Sequence, residues 1–308
     1  MLNPYSSLSR KSFWKTGVAE ANPFRIEQIY TPKYLIKPKT RVVTAGSCFA
    51  QNLTKYLKTS KCYFMDIEPS PPGLSDELQA QFGYGLFSAR YGNIYTVKQL
   101  AQLTTEILGE IHIDDLAWEK DGRYYDSQRP RVEPFGLETP DQVRFHRAIH
   151  LKKVKKIFER MDLFVFTLGL TEMWLNSSGD VVYPVAPGVL AGNYVPEKYA
   201  FAKSTFYEMW QDFHLFLQNL KKIRVNSGLK VPSLPSILLT VSPVPLTATA
   251  SCDHVLSATI ESKSMLRALA ADLVRKFNFI DYFPSYEIIS NPVNRSTSFQ
   301  ANLRSVNQ

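Results

Sequence analysis

In the segment Arg41-Val42-Val43-Thr44-Ala45-Gly46-Ser47-Cys48-Phe49-Ala50, an apolar run ends on Gly-Ser and passes directly into a stretch with helical periodicity. A strand that delivers a serine to a helix N-terminus builds an anion site. Glycine permits the sharp turn, and the first N–H groups of the helix face outward with the positive end of its dipole. Ser47 therefore has two readings, as a nucleophile and as a helix N-cap. As a nucleophile it needs a base, because a serine hydroxyl reacts poorly at neutral pH, and the usual base is an imidazole within hydrogen-bond reach.

The sequence offers five histidines. His254 lies in the loop that leaves the apolar run Ile237–Val241, on the side of the fold where Ser47 is expected, so it is the candidate base, with a structural loop histidine as the other reading. His146 and His150 are four apart and share a helix face, but without a carboxylate between them they read as a solvated pair rather than as metal ligands. His214 reads as a packed or surface histidine on an amphipathic helix, and His112 as a loop or short-strand residue. Cys48 is a second candidate nucleophile, since a helix N-terminus lowers a thiol pKa, although one residue into the helix it is expected to pack. Lys263 and Arg267, four apart, could meet an anionic group or simply cover a helix surface.

These residues need elements to position them. Short apolar runs recur at Val42–Ala45, Cys62–Ile67, Leu163–Leu168, Ile237–Val241 and Phe279–Tyr282, and segments with helical periodicity lie at about 48–60, 96–109, 142–160, 204–224 and 255–277. Alternation of this kind predicts a doubly wound α/β fold with a mostly parallel sheet. Such sheets carry their sites outside the carboxyl ends of the strands, and Ser47, Glu172, Ser242 and Ser285 all follow predicted strand ends. Turn-rich stretches at about 68–95, 111–140 and 176–200 predict long loop insertions that form a cap over the cleft. Residues 1–35 read as an N-terminal arm and 36–308 as one domain.

Composition narrows the function classes. Hydrophobic residues make up 44% of the chain and charged residues 21%, which are globular values. No apolar run approaches the ~20 residues of a membrane span. The polar start, Met1-Leu2-Asn3-Pro4-Tyr5, lacks the apolar core of a secretory signal. Three cysteines without metal-type spacing fit a reducing compartment, so a cytoplasmic protein without a metal or other cofactor is expected. The net charge of +8 favours acidic partners at long range. Its densest stretch, Leu151–Arg160, reads as a solvated helix face, and no nucleic-acid partner is expected.

Gly46-Ser47-Cys48-Phe49-Ala50 is also the signature of the bacterial GSCFA domain family. Tyr91-Gly92-Asn93-Ile94-Tyr95-Thr96, Phe166–Glu172, Thr240–Pro245, Ser262–Arg267 and Tyr282–Ile288 resemble its other blocks, in order. That family is similar in fold to the SGNH (GDSL-like) hydrolases, three-layer sandwiches of flavodoxin type. The resemblance implies a serine-dependent esterase or acyltransferase acting on O-acyl groups of a carbohydrate or polysaccharide precursor through an acyl-Ser47 intermediate. By position it implies an oxyanion hole made from Ser47 N–H and Gly92, with Thr171 in place of the amide donor. His254 is the candidate substitute for the family's base, the orienting carboxylate is left between Asp253, Glu172 and Glu287, and Lys263 is a possible supporting residue. Two departures are visible: Gly169-Leu170-Thr171-Glu172 stands where Gly-x-Asn-Asp is expected, and no histidine follows position 254 to form the Asp-x-x-His of those enzymes. These departures keep a second reading open, a non-catalytic scaffold that binds a glycan or a protein.

Overall fold

The computed structural model describes residues 3–22, 25–230, 233–294 and 296–307. The central sheet contains β1 (Arg41–Gly46), β2 (Tyr63–Phe64), β5 (Leu163–Leu168), β9 (Ser236–Val241) and β10 (Ile280–Tyr282) in the order β10-β9-β5-β1-β2, every pair parallel. The connecting helices are α1 (Cys48–Thr59), α2 (Asp76–Gln81), α3 (Val97–Leu108), α4 (Pro140–Arg160), α5 (Phe206–Val225), α6 (Val255–Lys276) and α7 (Ser285–Ser290). Strands β3 (Ala117–Lys120) and β4 (Arg123–Asp126) form a hairpin, while β6 (Glu172–Asn176), β7 (Val182–Tyr183) and β8 (Tyr199–Lys203) form a small antiparallel sheet.

Alternation along the strands divides the core into two layers, as expected for a doubly wound sheet. Val43, Ala45, Phe164, Phe166, Ile237 and Leu239 face the layer built by α3, α4, α5 and α6. Val42 and Val165 face the other way, onto Leu53 and Leu57 of α1. The helices begin where their caps dictate. Thr96 with Gln99 and Thr205 with Glu208 form reciprocal capping boxes, and Thr139 caps α4, which has Pro140 in its first turn.

Two expectations change. The strand predicted over Cys62–Ile67 pairs only at Tyr63 and Phe64, because Ser88 takes over the edge of β1 beyond that point. The Thr44 N–H donates to Ser88 Oγ at 2.9 Å, and the Ser88 N–H returns to Thr44 O at 3.4 Å. The predicted loop 111–140 holds the hairpin, and 176–200 holds β7 and runs from β6 to β8; the hairpin and the small sheet share an apolar cluster around Trp118, Tyr183 and Tyr199. The N-terminal segment straps the β10 edge of the sheet. Tyr30 OH and Lys33 N–H both donate to Asp281 Oδ2 at 2.8 Å, and Lys33 Nζ reaches Val274 O at the end of α6 at 2.6 Å. Among the described residues, no helix is long and apolar enough to cross a membrane.

Candidate functional site

The β1–α1 junction is as abrupt as its sequence requires. Gly46 sits at φ +138°, a conformation that side chains rarely adopt, and a Cβ there would lie 2.6 Å from Thr167 O. Ser47 follows as the N-cap of α1 with φ −74° and ψ 176°, yet its side chain makes no capping bond. The residue is 3% exposed and its hydroxyl has no hydrogen-bond partner, as is also true of the Thr167 hydroxyl on the facing strand. Buried polar groups are nearly always paired. The Ser47 hydroxyl therefore has no hydrogen-bonding role in holding the fold together.

Main-chain hydrogen bonds stitch three further segments to this junction. Ile94 N–H donates to Gly46 O at 2.9 Å, Gly169 and Leu170 N–H donate to Tyr95 O at 3.1 and 2.9 Å, and Ser242 N–H donates to Leu168 O at 2.9 Å. Gly169 lies directly against the serine, for a Cβ on it would come within 2.9 Å of Ser47 Cβ. Ser47 and Gly169 therefore lie side by side at the carboxyl end of the sheet with Tyr95 against them, while Gly92 lines a small pocket with Asn93, Tyr95 and Arg129. Gln51, Asn93 and Tyr95 are linked through bonds of 3.2 and 2.9 Å. Burial pushes the Tyr95 phenol above its ordinary range, and the neighbouring Cys48 adds to this.

The predicted oxyanion donors fare differently. Ser47 N–H points at Thr167 O at 3.3 Å, and Thr171 N–H is taken by Ser262 Oγ at 3.2 Å. Gly92 N–H and the Thr171 hydroxyl make no hydrogen bond among the described residues, and the Cys48 and Phe49 N–H groups that open α1 have no acceptor within the helix.

His254 is not joined to the serine. It is exposed, its Nδ1 accepts the Leu256 N–H at 3.2 Å as the N-cap of α6, and no imidazole bonds Ser47 Oγ. Nor are its predicted helpers arranged around it. Asp253 accepts from Ser251 Oγ and pairs with Lys203, while Glu172 accepts from Thr249 Oγ1 at 2.6 Å. Arg267 does not share an anion with Lys263, because its guanidinium pairs with Glu287 and lies over the Tyr282 ring. Ser285 links strand ends, donating to Val241 O at 2.9 Å and sharing a short hydrogen bond with Thr240.

For Lys263, expected either to meet an anionic group or to cover a helix surface, the structure gives an inward position. Rather than covering a helix surface, it is 1% exposed, and its Nζ donates to Gly169 O at 2.7 Å. Its signal was present, since Ser262 and Lys263 occupy the same face of α6 as Leu266, Leu269, Ala270 and Leu273.

His150 is the position that the sequence reading misjudged. It is fully buried, not solvated, and its Nδ1 lies 2.8 Å from Glu68 Oε2. Burial and the adjoining Arg129 keep the imidazole neutral, while its bond and the Arg90 N–H outweigh burial to keep Glu68 ionised. The surrounding network holds the Gly92 loop from behind. Arg129 pairs with Asp126 at 2.6 Å and reaches Arg90 O, and Arg147 grips Glu106 and approaches Asp126 at 3.9 Å. Arg147→Met should cost about 3–5 kcal/mol, because it strands the buried Glu106 carboxylate and removes one of the two cations beside Asp126. Chemical denaturation measures this, and a cost under about 1 kcal/mol would mean that Glu106 had found another partner.

A five-stranded parallel sheet with helices on both faces, and a serine at the turn after a central strand, defines a doubly wound α/β protein with its cleft at the carboxyl edge. The GSCFA family model matches residues 41–308, and the chain belongs to that family. No curated protein and no solved structure matches it. Among the described residues, no group of three or more His, Cys, Asp or Glu is placed to hold a metal ion.

Proposed function

We propose that the protein is a serine-dependent esterase or O-acyltransferase of SGNH type, with Ser47 as the nucleophile. The observation that carries this reading is the buried, unpartnered Ser47 hydroxyl at a strand–glycine–helix turn. Attack by Oγ on an ester carbonyl would form an acyl-serine. The developing oxyanion would be met by donors that have no protein partner among the described residues, namely Gly92 N–H, the Thr171 hydroxyl and the Cys48 and Phe49 N–H groups at the start of α1. Water or a sugar hydroxyl would then take the acyl group.

The O-acyl carbohydrate substrate and a bacterial source are carried by family analogy. A cytoplasmic site of action is supported by the three free cysteines. Treatment with a fluorophosphonate, followed by mass spectrometry of the peptide that spans residues 41–58, should place a single adduct on Ser47. An unmodified Ser47 would favour the second reading, a scaffold that holds a glycan or a protein without turnover. That alternative draws on the absence of any imidazole bonded to Ser47.

A further inference from the structure

We propose that Lys263 is the proton acceptor for Ser47, making the catalytic pair a serine and a lysine rather than a serine and a histidine. The inference rests on the reading of Ser47 as a nucleophile.

Three observations converge on it. Lys263 is a buried amine with no carboxylate beside it among the described residues: its hydrogen bond, to Gly169 O at 2.7 Å, is to a neutral carbonyl, and none of those residues forms an ion pair with it. A buried ammonium without a counter-charge is costly, so the amine is driven towards its neutral form, in which nitrogen carries a lone pair. Second, Lys263 and Ser47 meet at the same residue. Gly169 offers its carbonyl to Nζ and its bare Cα to the Ser47 side chain, with no Cβ between them. Third, the buried hydroxyl has no acceptor of its own. The amine driven towards its neutral form and the hydroxyl that lacks an acceptor thus flank the same residue, Gly169; no hydrogen bond joins Nζ to Oγ here, and release of Nζ from Gly169 O is what would bring them together.

The charged surroundings agree. Burial is the chief influence, and it brings the Lys263 amine down to about 7. The Cys48 thiol at the start of α1 opposes that shift, and Arg304 in the C-terminal segment reinforces it. Ser262, one residue earlier on α6, holds Thr171 N–H, so two consecutive helix residues grip the Gly169–Thr171 loop and keep the amine in place.

The step balances without further reactants. As Ser47 Oγ bonds to the ester carbon, its proton passes to the Lys263 lone pair and the carbonyl electrons move to oxygen. Collapse of the tetrahedral intermediate expels the alkoxide, which takes the proton from Nζ. In the second half, water or a sugar hydroxyl gives its proton to Nζ while attacking the acyl carbon, and Ser47 Oγ leaves with that proton. Serine–lysine pairs perform this chemistry on other folds.

The test is the rate of fluorophosphonate modification at Ser47, read by mass spectrometry from pH 5 to 10. For the wild-type chain the rate should rise about tenfold per pH unit below a midpoint near 7 and then level off. Lys263→Met and Lys263→Arg should each slow it by about 100-fold or more at pH 8. Modification at the wild-type rate in Lys263→Met would overturn the lysine while leaving the serine reading intact, as would loss of modification in His254→Ala with Lys263→Met unaffected. A wild-type serine that is never modified overturns both.

A second measurement shows whether the Met variant is folded and whether the amine is neutral. A lysine with a lowered folded-state pKa costs stability at neutral pH, because the unfolded chain binds a proton that the folded chain does not. The thermal midpoint of Lys263→Met should therefore exceed that of the wild type at pH 7. The gap should narrow as the pH rises towards the ordinary lysine range. A gap independent of pH would mean a charged amine at pH 7 and would overturn the proposal.

Discussion

Ser47→Ala should lower turnover of an activated acetyl ester by about four orders of magnitude while leaving the folding free energy unchanged or slightly increased. The two halves of this expectation come from the same geometry. Loss of a nucleophile removes the acyl-enzyme route altogether, so only the slow background assisted by the remaining donors survives. Stability does not suffer, because the hydroxyl makes no bond to lose. It neither caps α1 nor meets any other group, and removing an unpaired buried hydroxyl relieves a desolvation cost. Alanine retains the Cβ that packs against Gly169. A conventional N-cap serine behaves in the opposite way, losing about 1 kcal/mol of stability with no effect on chemistry. Ester turnover and urea denaturation of the same preparation decide between them. Turnover within about tenfold of wild type, coupled with a loss of stability, would assign Ser47 to the cap.

The parallel sheet was legible because its strands are buried on both faces and read as unbroken apolar runs. Leu163–Leu168 is buried at every position. The helices were legible to within a few residues from their apolar periodicity, and Thr96, Thr139 and Thr205 cap three of them. The small β-lobe was not, since its strands are short and only partly buried, and they lie between the turn residues that suggested loops. The position of Ser47 was legible because strand, glycine and helix are local features. Its proton acceptor was not, because pairing a base with a nucleophile is a matter of long-range approach. His254 is adjacent to the right strand in sequence, yet it spends its Nδ1 on a helix end. Lys263 was legible as a supporting residue but not as a buried amine, because a charged residue on a helix usually faces water.

The same bias explains His150. The Lys152–Lys156 stretch that follows it is exposed at most positions, which made the whole helix look solvated, but α4 turns Val143, Arg147, His150, Val154 and Ile157 inward at spacings of three and four. A polar residue in the phase of an apolar stripe is therefore the sequence feature common to Lys263, Arg147 and His150. In this chain each of them is placed at or behind the cleft, with Lys263 on Gly169 and the other two behind the Gly92 loop. The sheet supplies the edge, and these inward polar residues fix the loops upon it.

Gly46→Ala should destabilise the protein by at least about 3 kcal/mol, and any chain that still folds should lose fluorophosphonate reactivity at Ser47. Two separate penalties act. Alanine resists φ +138°, and its methyl carbon would lie 2.6 Å from Thr167 O, 2.7 Å from Thr167 N and 2.8 Å from Thr167 Cβ. Thr167 is the register partner of Gly46 in the β1–β5 ladder, so the obstruction is backbone in the middle of the sheet and cannot swing aside as a side chain would. Relief requires β1 to separate from β5 at its carboxyl end, which moves Ser47 away from Gly169 and breaks the bond from Ile94 N–H to Gly46 O. Gly73→Ala is the reference for a positive-φ glycine in open space, since Gly73 has φ +84° with nothing around it and alanine there should cost about 1 kcal/mol. The excess cost at Gly46 in urea denaturation combines its more restrictive φ with the close approach of the strands. Equal costs would mean that β1 and β5 do not meet at this register, and the serine turn would lose its physical basis.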